Sequence, residues 1–590
     1  MSHPATEPGA DQTAAPPPLQ NATRYLSAGA YLDSRFRDRV LDELMGDPHR
    51  AVAPSLGGWN LTPVLTHCLR AQQMTLIRDA LITGTASLLG VFGWNWICLL
   101  LPLALLSLPR VRRGPRVWRV LLILLTVAEF AVLPLFLIWM ALAFLPRSSR
   151  AFDMATGTYV DTSPSPLLIV LALLLGLLIS LLISFLPLAI AAGYRINRYV
   201  ALSTELRPGA TLPPPGGSGD TGWRRSRKAY LDQAQWGNIT LFGADDPFVG
   251  AGSVRRSWSI VAELDRTTRS DNSPAATPRD YARIDPADLH SFVRQRLLEM
   301  RDAVNEAPER VSRMHVGDHL TARGTFTRLD WPESGAPRRW SGQSHPLIDT
   351  ASGLPHFVAP PEVITDVIRQ PQGGLKHYQR VTVDSDGEEM VSSNGSLLAP
   401  GEDRQVSVSA FIHLAVEGRM LYTQFVLTVL PPVAAEYRVV DELPALTGPA
   451  LVWRAVSRNT LDLIADTVFA PFRLVRVAVR AIRWRRETRN PAALPVYPFG
   501  ARRSVRELGS AYGLGGFIQR LDADKYVKLI ERRLTEAVLD YLDSKDIDTS
   551  GYRAQASNII NNGALITGGT FNGPVAAGTG ASASQHGGDK

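Results

Sequence analysis

The chain has 590 residues, 45% of them hydrophobic and 20% charged, with a formal net charge of +7. Two cysteines, Cys68 and Cys98, exclude a disulfide scaffold and any cysteine-only structural zinc site. Six of the 62 basic residues are lysine and the rest arginine; this is a compositional bias rather than a nucleic-acid signature, and no nucleic-acid partner is expected.

Residues 1–22, with Pro16-Pro17-Pro18, hold too little apolar surface to offset chain entropy and read as disordered rather than as a signal peptide. Residues 23–78 read as a cytoplasmic helical segment. Leu32, Phe36, Val40 and Leu44 recur every four residues, the mark of an amphipathic helix. Thr62-Pro63 supplies an N-cap and a first-turn proline for a second helix.

Three long apolar runs, Ala80–Leu108, Trp118–Leu145 and Pro166–Ala192, predict a transmembrane region over 79–195, since each exceeds the ~20 residues that span a bilayer. The Arg110–Arg116 link and the flank at Arg195 and Arg198 are basic and therefore expected inside. Both termini then fall in the cytoplasm if 80–108 is re-entrant, turning at Gly90-Val91-Phe92-Gly93-Trp94-Asn95; a single tilted crossing is the alternative. Glu129, inside the second run, is a candidate intramembrane acid.

Residues 196–228 form a linker around Pro213-Pro214-Pro215-Gly216-Gly217, ending in the basic cluster Arg224–Lys228. Residues 229–445 read as a cytoplasmic α+β domain. Asp285-Pro286 opens a helix over Leu289–Val304, and Val406, Val408, Ala410 and Ile412 alternate along a strand that turns at Glu417-Gly418 and returns over Met420–Leu430. The short turns predict antiparallel pairing.

Residues 446–490 carry nine arginines and three acids, a net of +6, and read as a basic amphipathic helix kinked or split at Pro471. Apolar residues at Leu461, Ile464, Val468, Phe472, Val475, Val479 and Ile482 form one face; Arg473, Arg476, Arg480 and Arg483 follow about 100° round it. With Phe472 and Trp484, these arginines are the candidate membrane-surface residues, and the expected partner is the lipid bilayer, anionic lipid in particular. A helical segment over 491–546, with Val527, Ile530, Leu534, Val538 and Tyr541 on one face, precedes a flexible Gly/Asn-rich tail, 547–590. Ile559-Ile560 and Leu565-Ile566 beside Asn561-Asn562 make that tail a candidate strand motif for a second copy or a protein partner.

Chemistry-bearing patterns are sparse. His315 and His319 lie four apart around Asp318, but Gly317 and the extended setting disfavour a shared metal. The loop Asp245–Ser253 lacks the Lys-Ser/Thr ending of a phosphate loop. No nucleophile elbow, kinase signature or Cys-His pair is present, so no catalytic residue, metal or cofactor is assigned.

Asn238-Ile239-Thr240-Leu241-Phe242 followed by Asp246-Pro247-Phe248-Val249-Gly250-Ala251-Gly252 resembles a segment of uncharacterised actinobacterial multi-pass membrane proteins. Asp548-Thr549-Ser550 with Asn561-Asn562-Gly563-Ala564-Leu565-Ile566-Thr567-Gly568-Gly569-Thr570 resembles their tail, so that the resemblance covers most of 24–580. Gly573-Pro574-Val575-Ala576-Ala577-Gly578 is also similar to short amyloid-signalling motifs of bacterial signalling proteins. The resemblance implies a membrane location and nothing catalytic. The expectation is an integral protein of the bacterial plasma membrane, non-catalytic, with a sensing, scaffolding or signalling role. The alternatives are a transport or channel-like component using Glu129, and a membrane-bound enzyme with its site in 229–445.

Overall fold

The computed structural model describes residues 19–88, 100–108, 111, 113–129, 150–153, 158–161, 166–211, 222–266, 282–302, 311, 313–327, 347–349, 352–385, 387, 390–392, 394–402, 405–457, 460–487 and 496–561; side chains at 150–153, 158–161, 166–184, 326–327, 460 and 560–561 are outside the description. The principal helices are α1 (Asn21–Leu32), α2 (Ser34–Met45), α3 (Leu61–Leu88), α4 (Pro166–Glu205), α5 (Gly222–Ala234), α6 (Pro286–Asp302), α7 (Pro361–Arg369), α8 (Gly448–Ser457), α9 (Thr460–Val468), α10 (Ala470–Glu487), α11 (Phe517–Ser544) and α12 (Ser550–Asn561). Six strands share one sheet: β1 (Ile239–Phe242), β2 (Ser253–Glu263), β3 (Met314–Arg323), β4 (Leu375–Asp384), β5 (Ser407–Glu417) and β6 (Met420–Leu430).

The chain divides into two compact units: Met1–Cys68, Pro208–Val439 and Arg486–Lys590 make the first, and Leu69–Arg207 with Val440–Arg485 the second. In the first unit the strand order is β1–β3–β4–β5–β6–β2. β1 runs parallel to β3, with Ile239 opposite Leu320, and every other neighbour is antiparallel. The sheet is therefore mixed, where short turns alone predict antiparallel pairing. β5 and β6 are joined by Gly418 and Arg419, both at positive φ (56° and 67°), the twist that a two-residue hairpin requires.

One sheet face is covered by helices. Leu289, Val293 and Leu297 of α6 and Ile530, Leu534, Val538 and Leu542 of α11 pack on Val381, Val408, Ala410, Ile412 and Phe425. The other face is covered too: Phe411 packs with Leu56, Phe248, Ala251 and Val426. This is why β5 is buried almost along its whole length and not only at alternate residues. The tail expectation changes here: Asn558–Asn561 belong to α12, whose Tyr552 and Ala556 enter the core, while 562–590 lie outside the described residues.

In the second unit, Ala86, Leu100, Ala104 and Val468 form one cluster, and Ile82, Ala191, Leu463 and Ala470 another. The membrane-spanning expectation is corrected: among the described residues, no helix is long and apolar enough to cross a membrane. The reason is charge and length. α3 carries Arg70, Arg78 and Asp79 within its course; helical residues 116–129 are too short and include Arg119; and the described side chains of α4 include Arg195, Arg198 and Glu205. The remainder of the three apolar runs, at 89–99 and 130–145 and in the side chains of 166–184, lies outside the described residues, as does the turn proposed for a re-entrant 80–108. The integral-membrane fold class, the multi-pass plasma-membrane location with a cytoplasmic domain, and the transport alternative are withdrawn with it.

Candidate functional site

The basic amphipathic stretch is three helices, α8, α9 and α10. Phe469 interrupts α9 and α10, and Pro471 takes the first turn of α10, where a missing N–H removes no intrahelical bond. The interruption changes what the apolar stripe does. In α9 its residues face inward: Val468 is fully buried, with Ile464 packed beside it. In α10 the same stripe faces outward. Phe472 is 66% exposed, Val475 63%, Val479 50% and Ile482 52%. Their spacing of three, four and three places them on one side of the helix.

Arg473 is held away from that surface. Its Nε donates to Asp79 Oδ2 at 2.8 Å and its Nη2 to Asp79 Oδ1 at 2.9 Å. Asp79 also pairs with Arg78 (2.8 Å), and Asp466 with Arg78 and Arg195 (3.4 Å each). Asp79 and Arg78 are buried, so this network ties α3, α4, α9 and α10 together. A charge pair taken out of water must be satisfied nearly completely, and the bidentate Arg473–Asp79 geometry provides that. Sequence reasoning missed the network; its signal is the charged pair Arg78-Asp79 immediately before the apolar run that opens at Ala80.

The remaining candidates lie where a surface could be met. Arg476 and Arg483 are exposed, and Arg480 and Trp484 are half-buried. The Arg480 guanidinium lies 5.6 Å from the Trp484 ring centre, a cation–π contact one helical turn long. The second unit shows further apolar exposure at Val117, Trp118, Leu121, Leu124, Val127, Phe185 and Leu186. Glu129 is helical and is the last described residue before 150; its Oε2 is buried without a hydrogen-bond partner.

The first unit holds a polar cluster between α6 and the sheet. His377 Nε2 donates to Asp318 Oδ1 (3.0 Å), Arg294 Nη1 donates to Asp318 Oδ2 (2.8 Å), and His290 Nε2 donates to the Leu414 carbonyl (3.2 Å). The His290 and His377 rings meet edge to face at 4.7 Å. The His377 and Arg294 bonds hold Asp318 at about 2. Burial pulls His290 down to about 3, with His377 adding to it. The second ring nitrogen of His377 is buried, so the pair is closed to solvent and acts as a polar bridge from helix to sheet. His315 and His319 stand on β3, and among the described residues no group of three His, Cys, Asp or Glu side chains could hold a metal ion.

A family model described as an AbeC-like domain matches residues 257–572. No curated protein and no solved structure matches the chain.

Proposed function

The chain belongs to the AbeC-like domain family, and we propose that it associates with an anionic lipid surface through α10, a helix inside the matched stretch. The observation that supports this is the outward row Phe472, Val475, Val479 and Ile482, each at least half exposed. Arg476, Arg480 and Arg483 follow about 100° round the helix. An exposed apolar row flanked by arginines is the pattern of a helix that lies in the lipid interface plane. The apolar residues enter the acyl boundary, and the long arginine stems let the guanidinium groups reach headgroup phosphates. An acidic protein would satisfy the arginines but leaves no reason for the additional apolar exposure at Val117–Val127 and at Phe185 and Leu186 in the same unit. The association is with a surface, and Arg473 takes no part in it.

The test is co-sedimentation of the full chain with phosphatidylcholine vesicles with and without phosphatidylglycerol. Binding should require the anionic lipid and weaken with salt, since exposed charges are screened over roughly 8–10 Å near physiological ionic strength. Replacing Arg476, Arg480 and Arg483 together by Gln should weaken it at least about tenfold, given ~1 kcal/mol per basic residue near the surface. Val479→Ser, which removes apolar surface and adds no charge, should weaken binding to the same vesicles without altering the salt dependence. Equal binding to neutral vesicles, unchanged in both variants, would overturn the proposal.

A further inference from the structure

Arg380 stands in the middle of β4, directly opposite Gly317 of β3 and Phe411 of β5. It therefore shares the sheet face of Phe411, the face covered by Leu56 and Phe248. Its Nε and Nη1 are buried and have no hydrogen-bond partner. Among the described residues no carboxylate is bonded to it, and Asp318 is the acid whose charge acts on it through space. Asp318 follows Gly317 in β3 and so projects from the other face, where His377 (3.0 Å) and Arg294 (2.8 Å) already hold it. Burial pushes the Arg380 guanidinium below its usual range, yet an arginine does not discharge in a folded protein. A charge taken out of water without a partner is costly, and a bound anion offsets that cost.

The surroundings leave room for that anion. Gly317 gives β3 no side chain at the position facing Arg380. Among the described residues, Arg380 Nη2 is the atom nearest to where a Gly317 Cβ would stand, at 3.8 Å, and beyond the adjoining residues no other lies within 4 Å. β1 pairs with Leu320–Arg323 and stops short of Gly317, so this stretch of β3 has no strand on its outer side among the described residues. His315 and His319 flank the notch, two residues to either side and on the same face; His315 is exposed and His319 buried. The notch is thus open at the sheet edge beside His315. Toward β5 it is closed by the rings of Phe248, Tyr378 and Phe411, with Phe248 centred 4.5 Å from Phe411 and 5.2 Å from Tyr378.

We infer that the notch over Gly317 is a binding site for the carboxylate group of a small molecule, with Arg380 as its counter-ion. Nη2 belongs to both forks of the guanidinium, so a carboxylate drawn against it engages Nε or Nη1 as the second donor. One fixed positive charge matches a monoanion. A phosphate dianion would bring a second charge into a half-buried site with no described group to balance it. His315 stands at the mouth, where its ring can donate to the outer carboxylate oxygen. This site is independent of the lipid-surface reading, because it belongs to the first unit and α10 up to Arg485 to the second.

The experiment titrates the full chain at constant ionic strength with acetate, propionate, propionamide and inorganic phosphate. Saturation-transfer NMR reads the organic probes, and thermal shift reads all four. Acetate or propionate should bind with a dissociation constant of roughly 1–10 mM. Propionamide, which keeps the shape and lacks the charge, should bind at least about tenfold more weakly, and phosphate no more tightly than propionate. Gly317→Ala sets a methyl group in the notch at an ordinary contact distance, keeps the fold, and should weaken propionate severalfold. Arg380→Met, which keeps the side-chain length and removes the charge, should abolish binding. Failure of both carboxylates to bind below ~10 mM overturns the inference. So does propionamide binding as tightly as propionate, phosphate binding more tightly, or propionate affinity unchanged in a folded Gly317→Ala or a folded Arg380→Met.

Discussion

At the scale of single residues, the buried histidines carry the clearest consequence. Burial holds His290 at about 3, with His377 and His413 adding and Asp318 opposing. Burial likewise holds His319 at about 3, with the Arg380 charge adding. An unfolded histidine titrates near 6.5, so below that value the unfolded chain binds protons that the folded chain refuses. Stability is therefore complete above about pH 6.5 and falls as pH drops toward 3, by about 1.4 kcal/mol per pH unit for each histidine. Asp318 acts in the same direction lower down, between its ordinary 3.8 and about 2. Urea midpoints of the first unit measured from about pH 7.5 to 5 should fall steadily. His319→Phe, with the new ring placed against Phe411 whose centre lies 5.0 Å from the imidazole, should reduce the slope by about a third to a half, since His413, which burial also lowers, shares it with His290. A midpoint independent of pH over that range would contradict the sign.

Among elements, the edge of the sheet shows how glycine spacing sets a backbone contact. Residues 496–501 close the open side of β1: Ala501 N donates to the Leu241 carbonyl (2.8 Å), Gly243 N to the Ala501 carbonyl (2.7 Å), and Gly500 N to the Gly324 carbonyl (3.1 Å). A Cβ on Gly500 would stand 2.4 Å from Gly243 N and from the Phe242 carbonyl group. Those are backbone atoms and have no rotamer to yield. Gly500→Ala should thus destabilise the first unit by about 1–3 kcal/mol, read as a lower urea midpoint. Gly515→Ala, with nothing within 4 Å of its Cβ site, should leave the midpoint unchanged and serves as the control.

The same elements show what could be read from the residues. The β5–β6 hairpin was legible, because its alternation and Gly418 are local signals. The break near Pro471 was legible for the same reason. The parallel β1–β3 pair was not: four residues of β1 carry no mark of the partner they meet eighty residues later. Nor was the direction of the α10 stripe, since an amphipathic helix has the same periodicity whether its apolar face is buried, as in α9, or exposed. The apolar runs misled for another reason: hydropathy averaged along a run gave no weight to Arg119, and the helix that holds the start of the first run begins at Leu61 and carries Arg78-Asp79 just ahead of Ala80.

For the molecule as a whole, family match and fold do not share boundaries. The matched stretch, 257–572, omits β1, the first residues of β2 and the segment around Leu56 and Phe248 that covers Phe411. A fragment 257–572 should consequently expose one face of its sheet and an unpaired β3 edge, a setting that favours aggregation. Analytical size exclusion and denaturant titration check this: the fragment should elute as aggregate or unfold without cooperativity, whereas the full chain should show a defined transition. A monomeric, cooperatively unfolding fragment would mean that the N-terminal cover is dispensable.

The first unit is assembled from three separated stretches of chain, and of the helices that cover its sheet α11 and α12 arrive last. On the ribosome, the β5–β6 hairpin leaves the exit tunnel long before α11 and α12, which bury its apolar face. β6 ends at Leu430 and α12 at Asn561. At about 5–20 residues per second, the intervening synthesis leaves Val408, Ile412 and Phe425 without α11 and α12 for roughly 7–26 s. During that interval the nascent sheet is a client for whatever holds unfinished chains, and the last part of the message governs whether the earliest strands survive.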